Sequence, residues 1–297
     1  MKKGKGDHIF DACNYLVLTV LSAACLYPLL HVVFASFSLA DQLIAHKGFL
    51  LGPLGFTLDG YKAVFGDASI LRGYLNTIVY TTLGVAINML MTILGAYTLS
   101  RRTLFWKKPI MLLITITMFF SGGLIPWFLI VKSLGMYNNL GAMLFPTALN
   151  TWNMIIMRTG FQAIPQDLEE AAQIDGANDA FVLVHIILRL SKAVLAVIFL
   201  YYFVGSWNSW FNAMVLLQER SMFPLQLLLR EILVMNDLSA TASTGMGVSL
   251  VGGQVSTAYR ELVKYCTIVV ATFPIMCIYP FLQRYFVKGI YVGSLKG

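Results

Sequence analysis

Residues 160–192 read GFQAIPQDLEEAAQIDGANDAFVLVHIILRLSK and carry five of the chain's 14 acids, Asp167, Glu169, Glu170, Asp175 and Asp179. Pro165 suits a first helical turn, where its missing N–H is no loss, and acids in that turn favour the positive end of the helix dipole. Leu168, Ala171, Ala172 and Asp175 follow at spacings that share one helical face. Two adjacent alanines on such a face leave room for another protein to approach closely. Asp175-Gly176 then stops the helix, with Gly176 free to take the left-handed turn. Asn178 or Asp179 can cap a second helix, in which Phe181, Val184, His185 and Leu188 share a face. The segment therefore reads as helix, glycine turn and helix. Helices that rest on lipid favour Lys and Arg on their polar face, whereas this first helix is acidic, so a protein partner with basic residues fits it better.

On either side of this hairpin the chain is strongly apolar. Of 297 residues, 58% are hydrophobic and 12% charged, against about 45–50% and about 25% in soluble domains. Mean hydropathy is +0.74. A helix crossing a bilayer needs about 20 residues, and an ionised side chain at its centre costs about 2.5–3.5 kcal/mol. Charge-free runs of that order cover 12–40, 73–100, 109–131, 133–157, 193–218, 238–259 and 265–283. The run at 238–259, LSATASTGMGVSLVGGQVSTAY, holds seven Ser or Thr and four Gly; it lacks the apolar density that inserts and reads as a loop. The expectation is an all-α, polytopic membrane protein with six transmembrane helices. It forms a single domain over 1–297, with outer loops at about 41–72 and 219–260. The first run is longer than the apolar core of a signal peptide, about 7–15 residues, and reads as a retained span.

Loop charges orient the chain. Thirteen of the 21 Lys and Arg fall in the loops on the N-terminal side of the membrane, four of them in the short turn SRRTLFWKKP (100–109). Basic short loops stay inside, so both termini and the hairpin are expected in the cytoplasm. The net charge of +7 then reflects loops facing anionic lipid rather than a nucleic-acid surface. Cys13, Cys25, Cys266 and Cys277 show no metal or redox spacing and read as buried small hydrophobes. His31, in the first span, has no intramembrane acid to relay a proton with and reads as a structural histidine.

The hairpin resembles the EAA loop of ABC-importer permeases. Glu170-Ala171-Ala172, three residues, Gly176, nine residues and Ile186-Ile187-Leu188 keep that family's spacing. PQDLEEAAQIDGA and the C-terminal LQRYFVKGIYVGSLKG (282–297) look like the carbohydrate branch, the maltose-type permeases, and within it those for oligosaccharides and polysaccharide fragments. The sequence departs from the pattern at Arg189 and Ala193, where the family usually has proline.

That resemblance implies a type I importer fold and a permease subunit that forms half of a sugar pathway, localised to the bacterial inner membrane. The expected partners are an ATP-binding cassette ATPase dimer, a second, homologous permease and an extracellular sugar-binding protein, with lipid around the chain. It also implies that Glu170 pairs with an ATPase arginine, that Leu168, Ala171, Ala172, Asp175 and Phe181 pack at that contact, and that Gly176 sets the bend. No G-x-x-x-x-G-K-[ST] loop is present. The chain is thus expected to be no enzyme and to bind no cofactor, with ATP and Mg held by the ATPase subunits.

Sugar recognition needs amides, hydroxyls and aromatic faces. The spans offer Asn150, Asn153 and the cluster Trp207, Asn208, Trp210 and Asn212. Those residues line a sugar path, or the tryptophans form an interfacial belt and the asparagines tie helices together. An ion-coupled secondary transporter should show intramembrane carboxylates or broken paired repeats. A permease for amino acids or peptides is the alternative within the same superfamily.

Overall fold

The computed structural model describes residues 5–101, 104–242 and 257–294. Among them every regular element is helical. Contacts group the chain into two compact units, one of residues 1–70 with 229–273 and one of 71–228 with 274–297.

In the first unit, α1 (Lys5–Ser36) precedes two short helices, α2 (Ala40–Ala45) and α3 (Asp59–Gly66). The stretch Phe10–Ser36 is long and apolar enough to span a bilayer, and no residue in its most apolar window is buried by the rest of the chain. An apolar helix left bare in this way is covered by lipid or by another protein. His31 sits between the rings of Tyr27 and Tyr265, with centroids 6.0 Å from each. Gly60 of α3 lies against Leu262 and Cys266, so close that a Cβ there would stand 2.6 Å from the Cys266 sulfur.

The second unit is built on α4 (Ala68–Ser100), the longest helix that begins in it or at its edge before the hairpin. There follow α5 (Lys107–Phe119), α6 (Leu124–Ser133), α7 (Gly141–Leu144) and α8 (Thr151–Gln162). The hairpin supplies α9 (Asp167–Ile174) and α10 (Asp179–Leu190). Next come α11 (Lys192–Trp207) and α12 (Phe211–Leu216), whereas α13 (Leu225–Ala242) and α14 (Thr257–Ser294) each contribute residues to both units. The core of this unit joins Val85, Ala96, Tyr97 and Leu99 of α4 to Met154, Met157 and Phe161 of α8. Val182, Leu183 and Ile187 of the hairpin and Ile198 and Tyr202 of α11 complete it.

Several expectations change. By helix length and composition alone, three helices among the described residues can cross a membrane, Phe10–Ser36, Ala68–Ser100 and Ala258–Pro280, or five if each of two bent pairs is one span; α8, with 12 residues, is too short to be counted by itself. The run 109–131 is two helices at 116°, broken where Gly123 takes φ 83°. The run 133–157 is no continuous helix. Gly135 and Asn138 adopt positive φ, α7 is a single turn, and Asn150 starts a new helix. The run is apolar, but its turn residues override that pattern.

The segments expected as outer loops also contain helices, α2 and α3 in the first and α13 in the second. The run 238–259 is helical as far as Ala242, and residues 243–256 lie outside the described residues, as do Arg102 and Thr103. Of the cysteines only Cys266 is buried, while Cys13, Cys25 and Cys277 are exposed on helix surfaces and unpaired. Apolar segments locate a helix without saying which of its faces this chain covers. No cluster of metal-ligating side chains occurs among the described residues.

Candidate functional site

The acidic hairpin folds as helix, glycine turn and helix. Helix α9 starts just after Pro165, with Gln166 accepting from the N–H groups of Glu169 (2.8 Å) and Glu170 (3.0 Å). Asp167, Glu169 and Glu170 occupy its first turn, where the helix dipole favours anions. At its other end Gly176 has φ 85°, and the Gly176 and Ala177 amides donate back to Gln173 (3.0 Å) and Ala172 (2.9 Å). A left-handed residue closing a helix in this way is a glycine position. The second arm is capped by Asn178, whose side chain accepts from the Phe181 amide at 2.8 Å.

The two arms have different surroundings. The second is rooted in the core through Val182, Leu183 and Ile187. That buried face lies beside the predicted one. Phe181 and Val184 are about half exposed, and Phe181 stacks on His185 at 4.1 Å on the outside. Residues 182–187 form a π-helical turn, so the 3.6-residue period used to choose the face does not hold there. Ser191 then turns the chain by 86° into α11, making this bend without the two family prolines.

The first arm buries no residue fully. Leu168, Glu170, Ala171, Ile174 and Asp175 are all exposed, Ile174 at 86%. Ala172 departs from expectation: it is half-buried and packs against the core of its own chain, which leaves Ala171 as the outward alanine. The structure thus gathers Leu168, Ala171 and Asp175 with Glu170 on an open surface, and turns Ala172 inward.

Glu169 also turns inward. It forms an ion pair with Arg101, just beyond α4, and the two side chains are 14% and 16% exposed. The Arg101 guanidinium lies 4.0 Å over the Tyr97 ring, and the Tyr97 hydroxyl donates to the Asp179 carbonyl at 3.1 Å. Nearby, Lys107 donates to the Ser100 and Arg101 carbonyls (both 3.1 Å) and Arg158 to the Leu99 carbonyl (3.0 Å). These cations satisfy the end of α4. A cleft of about 700 Å³ opens here between Arg101, Lys107, Gln162 and the first turn of α9. In the sequence Arg101 stands out only as one of four basic residues in a short loop. Nothing local marks it as a partner of Glu169, because the contact is made by the packing of distant segments.

The predicted substrate residues are scattered. The Asn150 side chain accepts from the Asn153 amide (3.0 Å), and the Asn150 amide donates to the Tyr202 hydroxyl (3.1 Å). This pair starts and anchors α8. The Asn208 side-chain amide donates to the Val204 carbonyl at 2.9 Å. Trp210, at the start of α12, and Asn212, within it, are half-buried. Trp207 is buried, edge-on to Tyr74 at 5.8 Å and stacked with Phe203 at 5.9 Å. With Tyr74, Thr81, Phe203 and Pro274 it lines a cavity of about 240 Å³.

Comparison with known proteins places this geometry. The chain is 40% identical over 292 residues to the polygalacturonan/rhamnogalacturonan transport system permease protein YtcP of Bacillus subtilis, covering 98% of this chain and 99% of that one. It is 38% identical over 297 residues to Protein LplC of the same organism, covering 100% of this chain and 98% of that one. The crystal structure of a bacterial ABC transporter involved in the import of the acidic polysaccharide alginate contains a chain that matches with a TM-score of 0.83 at 31% identity, over 96% of this chain and 99% of that one. Residues 1–292 match a family profile along almost their whole length, and the protein belongs to the binding-protein-dependent transport system inner membrane components.

Proposed function

We propose that this chain forms half of an import pathway for oligosaccharide fragments of acidic polysaccharides, driven by a separate ATP-binding cassette ATPase dimer that docks on the 160–192 hairpin. One observation carries the coupling role. The acidic first arm presents Leu168, Glu170, Ala171, Ile174 and Asp175 outward, while the second arm is anchored in the core of the chain. A firmly rooted element with an open acidic and apolar face suits a basic protein partner, and pushing on it moves what it is rooted in. Glu170 pairs with an arginine of the ATPase, and Gly176 holds the angle between the arms. ATP and Mg stay on the ATPase subunits.

The substrate class rests on the relatives, whose names specify polygalacturonan, rhamnogalacturonan and alginate. A second, homologous permease completes the pathway, and an extracellular binding protein delivers the sugar. The single permease domain crosses the bacterial inner membrane six times, with both termini cytoplasmic. The crossings are α1, α4, the α5–α6 pair, α8 with the segment before it, α11 and α14.

Two measurements on the purified chain test this reading. An ATP-binding subunit should co-purify with it, and proteoliposomes holding the whole importer, with the binding protein outside, should take up oligogalacturonides only when ATP is enclosed on the ATPase side. Uptake driven by an ion gradient without ATP would overturn it in favour of a secondary transporter.

A further inference from the structure

We propose that Arg101 is a positioning residue: its ion pair with Glu169, seated on the Tyr97 ring, fastens the hairpin to the end of α4 so that the two move as one body. This rests on the reading of the hairpin as the element that the ATPase drives. The adjacent glutamates then have opposite tasks, with Glu170 facing the partner and Glu169 holding the hairpin to its own chain.

Three observations converge on this. First, both members of the pair are largely withdrawn from solvent. The Arg101 Nε is buried with no hydrogen-bond partner among the described residues, and the Glu169 carboxylate, on the other side of the ion pair, compensates the guanidinium charge. Removing one member of such a pair leaves an uncompensated charge, a much larger penalty than losing a surface salt bridge.

Second, the planar guanidinium lies 4.0 Å over Tyr97. Stacking fixes its orientation in a way that an ammonium would not reproduce.

Third, Tyr97 reaches the other arm. Its hydroxyl bonds the Asp179 carbonyl, beyond the Gly176 turn. Tyr97 and Arg101 are four residues apart at the end of α4, so one turn of that segment grips α9 through Arg101 and the start of α10 through Tyr97. The glycine turn between the arms is bridged from the α4 side, and a push on α9 reaches α4 directly instead of being absorbed at Gly176.

The test uses the purified importer with its ATPase subunits bound. Spin labels are placed at two exposed positions outside the docking face, Thr98 on α4 and Gln173 on α9. The unaltered importer should give one narrow label distance that ATP does not change. Arg101→Gln and Glu169→Gln should each broaden it, and Arg101→Lys should broaden it partly. The charge exchange Arg101→Glu with Glu169→Arg should narrow it again. Trigalacturonate carried per ATP hydrolysed should fall about tenfold in the single variants, within the usual range of coupling between sites, and recover in the exchange.

Native distance widths in both single variants would overturn the proposal. So would an exchange as broad as the singles, which would mark the residues as ordinary packing. The underlying reading fails separately, by a different result: Glu170→Ala retaining the ATPase subunits at the unaltered level. Failure of the unaltered importer to carry trigalacturonate counts against the substrate class alone, and the label distances still decide the role of Arg101.

Discussion

Glu169 and Glu170 are neighbours in sequence and opposite in surroundings, the first paired with Arg101 and the second open to solvent. Successive helical residues point about 100° apart, so one glutamate is drawn inward and the next is left for a partner. Glu170→Ala is therefore expected to leave membrane insertion and unfolding temperature unchanged. If docking buries the Glu170 pair, its loss costs about 3–5 kcal/mol of ATPase binding, read as loss of the ATPase subunits on purification. Phe161 makes the contrasting case. It is 1% exposed at the centre of the core that joins α4, α8 and the hairpin. Phe161→Ala should cost about 3–5 kcal/mol of stability, measured as a lowered unfolding temperature in detergent.

At the scale of elements, the hairpin is set by its turn. Gly176 has φ 85° and open space around it, so the objection to a side chain there is backbone strain rather than crowding. Gly176→Val should cost about 1–2 kcal/mol and loosen the end of α9, seen as faster amide hydrogen exchange over residues 173–177. Gly60 poses the opposite problem. A Cβ there would collide with Leu262 and Cys266, and Gly60→Ala should destabilise the packing of α3 on α14 by about 1–3 kcal/mol, measured by thermal unfolding. The two ends of α10 also differ in how they are made. Asn178 caps its start by the side chain expected of such a residue, whereas the 86° bend after Leu190 occurs at Ser191 with no proline present.

For the whole molecule, the exposed apolar helices and the basic turn after α4 make one prediction about sidedness. With the native cysteines replaced, a cysteine introduced at Ile174 should react with a membrane-impermeant reagent only from the cytoplasmic side. One at Leu51, which is 83% exposed, should react only from outside. Labelling of both positions from the same face would contradict the six-crossing arrangement. The bare surface of α1 belongs to this scale too. It makes sense only with lipid or a second permease against it, because about 20 apolar residues left in water would not be tolerated.

Composition, charge placement and the spacing from Glu170 to Leu188 were enough to read a helical membrane protein with an exposed acidic hairpin and to connect it with importer permeases. These are local or additive properties: hydropathy sums along a segment, charges bias each loop, and a helix start, a glycine turn and a cap are written within a few residues. What the tertiary structure alone decided was orientation and pairing. Ala172 turned inward, the π turn shifted the buried face of α10, the 133–157 run broke at its turn residues, and the Asn150 side chain was taken up in capping α8. Arg101 found Glu169 from a distant part of the chain. Such outcomes depend on which surfaces compete for the same core, and that competition exists only once the helices have met.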